Sequence, residues 1–403
     1  MPTISIITTV YDAKEYLPAT VASILAQTFA DFELILVDDG SPNGCGALCD
    51  ALAAQDGRIR VLHKPNGGPA SASNAGLDAA RGQYISYVDS DDLLRPDFLQ
   101  TLYGMLQSSG CPLAACGAAC IDENGIPIDR TVTLAPDLLG KQDALRQFYD
   151  VFRDGGMYSM VTWNKLYDAR LFQGVRHDET MFYGDDANIM PRIYAGHQIV
   201  CSNEPLYLYR VRAGSMTAGA FSPQKLDDLR LYGDWVDFFA RRPGYGDLAA
   251  WSVARYWQVF YLFYVHARQA GPLSPALAAG FSAHKKKLNA LLGRILRCPH
   301  VPGFEKLRAV LFTASPALCY KLAVLFYVSE LSVNRNGRNV ICVLVKGISR
   351  TVLRFQRGVS AFVGIAPLPV NAHGCHRLNE QLVASAVKRF RFFTIRIRMR
   401  IVK

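Results

Sequence analysis

The C-terminal end of the chain almost lacks acidic residues. Residues 331–403 contain 14 Lys and Arg but only one acidic residue, Glu380, whereas the first 330 residues carry 30 basic and 33 acidic residues. The formal net charge of +10 therefore comes from a cationic segment that favours anionic surfaces. Half of the 403 residues are hydrophobic and 19% are charged, which excludes wholesale disorder and allows two or three packed units.

Paired CxxC zinc patterns are also missing. The spacings of the ten cysteines, among them Cys111, Cys116 and Cys120, match no structural zinc site, so we expect free and mostly buried thiols. The N-terminus, MPTISIITTVYD, lacks a basic region followed by a signal-length apolar run, and it is typical of a first β-strand. These features predict a cytoplasmic protein.

A complete dinucleotide-binding glycine pattern is absent too. The stretch Gly44-Cys45-Gly46-Ala47-Leu48-Cys49 lacks the third glycine of GxGxxG, and it follows the second strand candidate rather than the first. A dinucleotide cofactor is therefore disfavoured. A nucleotidyl transferase would need a Gly-rich phosphate loop near the N-terminus, and none is seen.

What the first 120 residues do contain is an alternation of strand and helix patterns. The strand candidates are Ile4–Val10, Phe32–Val37, Ile59–His63, Tyr84–Val88 and Leu113–Cys120, and helical spacing covers Glu15–Gln27 and Ala70–Ala80. This order predicts parallel strands joined by right-handed crossovers. In such sheets, ligands bind beyond the carboxyl ends of the strands.

Three polar clusters fall at these strand ends. The carboxylates of Asp89-Ser90-Asp91 could chelate a hard divalent cation, although a helix N-cap with extra acids is the alternative. A carboxylate of Asp38-Asp39-Gly40-Ser41 could accept the N3–H of a pyrimidine, or the stretch is an acidic turn. The turn Asn66-Gly67-Gly68-Pro69 precedes a helix and could approach phosphate, or it is a plain connection.

Taken together, these motifs resemble those of a known family. The stretches ISIITTVYDAKEYLPATVASILAQTF, FELILVDDGSPN, NGGPASASNAGL and GQYISYVDSDDLLRPDFL, followed by TWNKLYDARLF, YGDDANIMPRIYAG and EPLYLYRVRAGSMT, are similar to family 2 glycosyltransferases over residues 3–220. The resemblance implies the GT-A nucleotide-diphospho-sugar transferase fold, an α/β fold with a Rossmann-like, mainly parallel sheet. A helical, basic C-terminal region would follow it.

The resemblance also implies an inverting transfer from a nucleotide-diphospho-sugar, with Mg²⁺ or Mn²⁺. We expect this donor to be a UDP-sugar. The donor would be bound by Thr9, Tyr11, Asp38, Asp39, Asp89 and Ser90, and the cation by Asp91 with Asp89. Within the donor set, Asp38 would support the turn that carries Asp39. Asp186, with Asp185 beside it, would be the general base; the alternative is an acidic N-terminus for the helix 187–195.

One position departs from the family pattern. The family often has Arg before the Asn of its Gly-Gly-x-x-x-Ala-Arg-Asn stretch, where this chain has Ser73 before Asn74. Arg81, Arg210 and Arg212 are candidates to compensate. If none does, the alternative is a catalytically inactive member that binds a sugar nucleotide or a partner.

On the acceptor side we expect Trp163, Lys165 and Tyr183, because aromatic faces stack on sugar rings; core packing is the alternative for Trp163. The acceptor would be a saccharide or lipid-linked saccharide, a precursor of a cell-surface polysaccharide or glycolipid.

The predicted organisation is a catalytic domain over 1–220, with a donor half at 1–120 and an acceptor and base half at 121–220. A helical extension at 221–300 and an apolar, basic region at 301–403 follow.

The last region suggests a membrane contact. Ala309–Ser329 approaches the length of a membrane span, but Lys321 in its middle argues against a simple one. The run Lys388–Phe393 mixes cations with aromatic rings, which favours peripheral attachment to an anionic membrane at its inner face. No nucleic-acid-binding motif is recognised, so we expect no nucleic-acid partner.

Overall fold

A computed structural model describes residues 1–132, 138–139, 145, 160–212, 221–269 and 271–323. Met1–Thr313 form one compact unit, and Ala314–Lys403 form a second, of which residues 314–323 are described. The basic segment 331–403, with the run Lys388–Phe393, lies outside the described residues, and so does the end of the apolar stretch Ala309–Ser329.

The sheet begins with a parallel α/β layer over residues 4–87. Its elements are β1 (Ile4–Val10), α1 (Leu17–Leu25), β2 (Phe32–Asp38), α2 (Cys45–Ala53), β3 (Ile59–His63), α3 (Pro69–Ala79) and β4 (Tyr84–Tyr87). The strands lie in the order β3-β2-β1-β4, and each neighbouring pair is parallel. Every residue of β2 is buried, as expected for a strand that is covered on both faces. These strand and helix predictions are confirmed.

The elements from residue 93 onward make the sheet mixed. Its elements are β5 (Leu93–Leu94), α4 (Phe98–Ser109), β6 (Leu113–Ile121), β7 (Pro127–Val132), β8 (Leu138–Leu139), β9 (Lys165–Asp168), α5 (Asp185–Tyr194) and β10 (Ile199–Arg210). The sheet continues β4-β9-β6-β10-β5, with β9 antiparallel to both of its neighbours. Since β9 is antiparallel to both β4 and β6, these two strands run in the same direction, and β6 is parallel to β10. The longer strands are therefore parallel, as predicted.

A helical extension follows the sheet. A 3₁₀ turn at Pro223–Leu226 leads into α6 (Asp227–Ala240), α7 (Gly246–Gln269), α8 (Pro275–Arg297) and α9 (Gly303–Ala314). Its core is aromatic, because Trp257, Phe260 and Phe312 are all buried. The ring centroid of Phe312 lies 5.7 Å from that of Trp257 and 5.5 Å from that of Phe260. Among the described residues, no helix combines the length and the apolar character that crossing a bilayer requires.

The sheet brings distant motifs to one edge. In parallel register, Val10 of β1 lies opposite Asp38 of β2, and Ile7 of β1 lies opposite Tyr87 of β4. The residues that follow these strands, including Tyr11, Asp39 and Asp89, therefore meet at the carboxyl edge, where ligands bind in open α/β sheets.

Candidate functional site

Asp39 anchors the glycine-rich turn before α3. Its Oδ1 accepts hydrogen bonds from Lys64 Nζ at 2.5 Å and from the Gly67 N–H at 2.9 Å, and its Oδ2 accepts from the Gly68 N–H at 2.8 Å. Gly40 beside it has φ +68°, and a Cβ there would lie 2.8 Å from the amide nitrogen of Asn66. Asp39, which was predicted to contact the nucleobase, thus also holds the turn that was predicted to approach phosphate.

Asp38 holds the turn that carries Asp39. It is buried, and it accepts hydrogen bonds from the Ser41 N–H and from His63 Nδ1, both at 3.1 Å. Burial alone raises the pKa of Asp38, but the hydrogen bonds from Ser41 and His63 outweigh it and hold the pKa below its usual range. Asp38 therefore stays ionised. At the end of β1, Thr9 is half-buried and the ring of Tyr11 is 51% exposed.

The aspartates after β4 are held by β10. The Asp89 N–H donates to the hydroxyl of Tyr207 at 3.1 Å, and that hydroxyl donates to Asp92 Oδ2 at 2.8 Å. Asp92 Oδ1 accepts the Arg210 N–H at 2.7 Å. Asp92 and Tyr207 were not assigned roles from the sequence, although Asp92 lies in the acidic cluster, and Arg210 was a candidate only to compensate for Ser73. Their contacts fix the backbone that presents Asp89, Ser90 and Asp91.

Negative charge converges at this loop. Burial, followed by the charges of Asp92, Asp91, Asp186 and Asp185, raises the pKa of Asp89 well above its usual range. The Asp89 carboxyl thus lies near two separate acidic pairs. A hard divalent cation prefers carboxylate oxygens and would relieve this repulsion, so the residues present fit Mg²⁺ or Mn²⁺. Arg212 Nε donates to Asp91 Oδ2 at 2.6 Å and supplies part of the compensating charge.

The second acidic pair begins α5. Asp186 Oδ1 accepts from the Thr162 hydroxyl at 2.8 Å, and its Oδ2 accepts from the Thr162 N–H at 3.4 Å. Burial and then the charge of Asp185 raise the pKa of Asp186 to about 6, against opposing contributions from His177 and Thr162. A carboxylate tuned in this way is suited to accept a proton near neutral pH.

His177 is a member of this cluster that the sequence did not reveal. Its side chain is fully buried, and Nδ1 lies 3.4 Å from Asp185 Oδ2 while Nε2 lies 3.4 Å from the Tyr87 hydroxyl. One ligand atom from each of His177, Asp185 and Asp186 lies within 4.8 Å of the others, a spacing at which they too could hold a cation. The amide of Asn74 holds the backbone of His177 but lies 103 residues away in the chain, so no local pattern indicated this contact.

The loop before α5 is held by α6. Asp227 Oδ2 accepts the N–H groups of Phe182 at 2.8 Å and of Tyr183 at 3.3 Å. Gly184 then turns the chain with φ +72°, and a Cβ there would lie 3.1 Å from Asp228 Oδ1. Burial, and then the neighbouring charge of Asp227, raises the pKa of Asp228 to about 7. The helical extension therefore belongs to the structure that presents the Asp185-Asp186 pair.

The structure separates the three predicted acceptor residues. Trp163 is buried and stacks on Tyr207 and Tyr209, with ring centroids 4.4 and 5.5 Å apart, so its burial favours the core-packing alternative. Lys165 is also fully buried, and desolvation lowers its pKa to about 7. Tyr183 is half-buried and contacts the ring of Phe182, which is 45% exposed beside the acidic pair.

Of the arginines proposed to compensate for Ser73, only Arg212 places its guanidinium on a predicted site carboxylate. Ser73 is buried in α3. Arg210 donates from its guanidinium to the carbonyls of Asp91, Asp122 and Glu123. Arg81 is exposed, and its backbone N–H donates to Ser5 and Glu33.

Comparison with known proteins identifies the family of this chain. A sequence model described as Glycosyl transferase family 2 matches residues 5–174. The chain is 34% identical over 244 residues to the glycosyltransferase GlyG of Streptococcus pneumoniae serotype 4, which covers 59% of this chain and 79% of GlyG. The chain belongs to glycosyltransferase family 2. A second relative, the uncharacterized glycosyltransferase EpsJ of Bacillus subtilis, is 30% identical over 57% of this chain and 67% of its own length.

The fold of this family 2 glycosyltransferase also matches solved structures. Residues 1–349 of S. aureus TarS, crystallised in complex with UDP-GlcNAc, superpose with a TM-score of 0.56 over 74% of this chain and 82% of that chain, at 18% identity. The predictions of a GT-A fold, of membership in family 2 and of glycosyltransferase activity are confirmed.

Proposed function

We propose that this glycosyltransferase moves a sugar from a UDP-sugar to a hydroxyl of a cell-surface polysaccharide or glycolipid precursor, with inversion at the anomeric carbon. The observation that carries the proposal is the position of Asp186. Its pKa is raised to about 6, and its charge acts on Asp89 at the end of β4. A proton acceptor and a carboxylate cluster suited to a diphosphate-bound cation would thus act within one site.

The donor would lie along the strand ends. Tyr11 offers an exposed ring to the uracil face, and Thr9 lies half-buried at the end of the same strand. Asp39 accepts three hydrogen bonds within the chain, and a carboxylate offers about four acceptor positions, so one remains for the uracil N3–H. The crystallised complex of TarS with UDP-GlcNAc, a protein of the same fold, supports a uridine donor.

Asp91 and Asp89 would hold Mg²⁺ or Mn²⁺, with Ser90 between them against the ribose and diphosphate. A bound divalent cation would supply positive charge to the diphosphate oxygens of the leaving group. The chain's own contribution is to fix the loop through Asp92, Tyr207 and Arg210, so that both carboxylates keep their positions as charge develops.

Transfer would then proceed in one displacement. As the acceptor oxygen forms its bond to the anomeric carbon, its proton passes to a carboxylate oxygen of Asp186, and the bond to the diphosphate oxygen breaks with its electron pair. Attack opposite the leaving group inverts the anomeric carbon. Thr162 holds the Asp186 carboxylate, and Asp185 raises its proton affinity.

The acceptor would enter over Phe182 and Tyr183, because these residues directly precede the Gly184 turn into the acidic pair and the ring of Phe182 is 45% exposed. We further propose the division into a catalytic domain at 1–220, a helical extension at 221–300 and a basic region at 301–403. The last would place the enzyme on an anionic membrane at its inner face, near a lipid-linked acceptor.

The decisive experiment is an assay of nucleotide diphosphate release. The protein is incubated with a panel of UDP-, GDP- and TDP-sugars and Mn²⁺, with a saccharide acceptor mixture, and the anomeric configuration of the product is read by NMR. We expect release from a UDP-sugar and a product of inverted configuration. Binding of UDP without turnover of any donor would favour the inactive, sugar-nucleotide-binding alternative, for which Ser73 is the sequence argument.

A further inference from the structure

Arg212 and Asp91 form an ion pair inside the donor site. The Arg212 Nε lies 2.6 Å from Asp91 Oδ2, and both side chains remain partly accessible, at 27% and 21% exposure. The guanidinium of Arg212 occupies Asp91 Oδ2, and its positive charge opposes the approach of a cation to this carboxylate. The residue predicted to ligate the metal is therefore already neutralised by the protein.

The neighbouring Arg210 provides a contrast. It is buried, and its guanidinium donates to three backbone carbonyls, at 2.6 Å to Asp91, 2.7 Å to Glu123 and 3.2 Å to Asp122. Moving Arg210 would leave these carbonyls without their donor. Arg210 is therefore a fixed part of the loop.

Arg212 is held much less firmly. Among the residues that the structure describes, Asp91 is its one hydrogen-bond partner, and the guanidinium carbon lies 5.4 Å from the ring centroid of Tyr16 at the start of α1. Arg212 thus lies between the acidic loop after β4 and the loop after β1. A diphosphate spanning the sheet edge would lie between the same two loops.

We propose that Arg212 is an exchangeable counter-ion: it neutralises Asp91 in the donor-free enzyme and moves to the diphosphate when a divalent cation takes Asp91. The proposal rests on the proposed function, because it requires a nucleoside diphosphate and a metal. A guanidinium matches phosphate oxygens with two parallel hydrogen bonds, so the diphosphate offers Arg212 a partner at least as good as the carboxylate it leaves.

This exchange couples the two ligands. A cation that binds Asp91 alone either shares the carboxylate with the like charge of Arg212 or displaces the guanidinium and leaves it without an anion. A cation that arrives with a diphosphate avoids both outcomes, because the diphosphate accepts the displaced guanidinium. Metal and nucleotide therefore strengthen each other's binding, and by linkage the effect is the same in both directions.

The test uses Arg212→Gln in the full chain with Mn²⁺ and UDP as probes. Free Mn²⁺ is followed by EPR in a titration without nucleotide, and UDP binding is measured by calorimetry at saturating Mn²⁺. We expect Mn²⁺ alone to bind about threefold more tightly, because a partly exposed ion pair no longer competes. UDP should bind about tenfold more weakly, because a charge-assisted hydrogen bond is lost.

The test is specific because the exchange predicts tighter binding of Mn²⁺ but weaker binding of UDP in the same variant. If both affinities fall, or neither changes, the exchange is wrong and Arg212 is a structural or bystander residue. If Mn²⁺ binds more tightly but UDP is unaffected, Arg212 does not move to the diphosphate, which also overturns the proposal. Arg212→Lys keeps the positive charge, so its Mn²⁺ affinity should stay close to that of the wild type. This variant shows whether the loss of charge, and not a change in the fold at position 212, causes the effect of Arg212→Gln.

Arg170→Gln is the matched control. Arg170 donates to Asp168 at 2.5 Å, also as an arginine–aspartate pair, but Asp168 lies opposite Tyr84 at the start of β4, away from the donor edge. Both affinities should stay unchanged in this variant. A wild-type protein that binds no UDP in the presence of Mn²⁺ would instead contradict the proposed function itself, so the two failures are distinguishable.

Discussion

The side-chain amide of Asn74 binds both backbone polar groups of His177. Asn74 Nδ2 donates to the His177 carbonyl at 3.0 Å, and Asn74 Oδ1 accepts the His177 N–H at 3.0 Å. Asn74 belongs to α3, which starts at the turn anchored by Asp39, whereas His177 contacts Asp185 beside the proposed base. The donor side and the base side are thus connected through one amide.

Replacing Asn74 by Ala should weaken both folding and turnover. Two buried backbone groups lose their partners, which costs about 2–4 kcal/mol of unfolding free energy at roughly 1–2 kcal/mol each. Turnover should fall further than UDP affinity, because the His177–Asp185 contact shifts. Denaturant unfolding and kcat measurements check both effects. Asn289→Ala, at an exposed position of α8, is the control and should change the unfolding free energy by less than about 0.5 kcal/mol. Equal stability of the two variants would contradict the role of Asn74.

Asp91→Asn should abolish metal-dependent binding of UDP, because a neutral amide is a poorer ligand for a hard cation. Calorimetry of UDP with and without Mn²⁺ measures the difference, and the wild-type protein is its control. An unchanged gain in affinity upon addition of Mn²⁺ would show that Asp91 does not ligate the cation. The set His177, Asp185 and Asp186 would then be the next candidate.

Asp186→Asn should reduce kcat by about 10²–10⁴-fold while leaving UDP affinity near normal, since a general base acts in the transition state. The pKa of Asp186 is about 6, and the base must be ionised to accept a proton. Wild-type kcat should therefore rise with pH through about 6 and level off above it. If Asp185→Asn loses far more activity than Asp186→Asn, the base has been assigned to the wrong carboxylate.

Asp227→Ala should impair the acceptor step without affecting the donor. The N–H groups of Phe182 and Tyr183 lose their acceptor, so the loop beside the base is less well positioned, and we expect kcat/KM for the acceptor to fall about tenfold. UDP affinity at saturating Mn²⁺ should not change. Asp237→Ala removes the same charge from the same helix but breaks only the exposed contact with Lys287, so it should behave like wild type. A parallel loss in both variants would indicate a general effect on α6.

A chain ending near Glu330 should bind anionic liposomes much less than the full chain does. Residues 331–403 carry 14 Lys and Arg against one acidic residue, and each cation near an anionic surface contributes about 1 kcal/mol, screened by salt. Sedimentation at low and high salt measures the difference, and nucleotide diphosphate release by the shortened chain is the folding control. Equal binding to neutral and anionic liposomes would rule out the electrostatic contribution.

The sequence predicted best what depends on short stretches of chain. Apolar runs such as Ile4–Val10 fix buried strands, and the carboxylates that follow them must then meet at one sheet edge, which is why Asp39 and Asp89 were placed correctly on the fold. Their roles in binding and catalysis remain predictions. The positions of these residues follow from strand periodicity and parallel register, and both can be deduced without knowing any tertiary contact.

What the sequence did not reveal depends on pairs far apart in the chain. Asn74 and His177 are separated by 103 residues, and Asp227 and Phe182 by 45. No local pattern specifies such partners. Burial was equally hard to foresee at Lys165, because β9 is only four residues long and its neighbours on both sides are antiparallel to it. A lysine at the start of so short a strand gives no periodicity to interpret.

The position of β9 also bears on how the chain reaches its native state. The strand lies between β4 and β6 but is synthesised after both, so until residue 168 has left the ribosome, β4 and β6 each present an unpaired edge. Residues 1–120 on their own would keep those edges open, and they should associate with one another rather than persist as monomers. Native pairing across the sheet centre thus begins only when the segment from Lys165 to Asp168 is available.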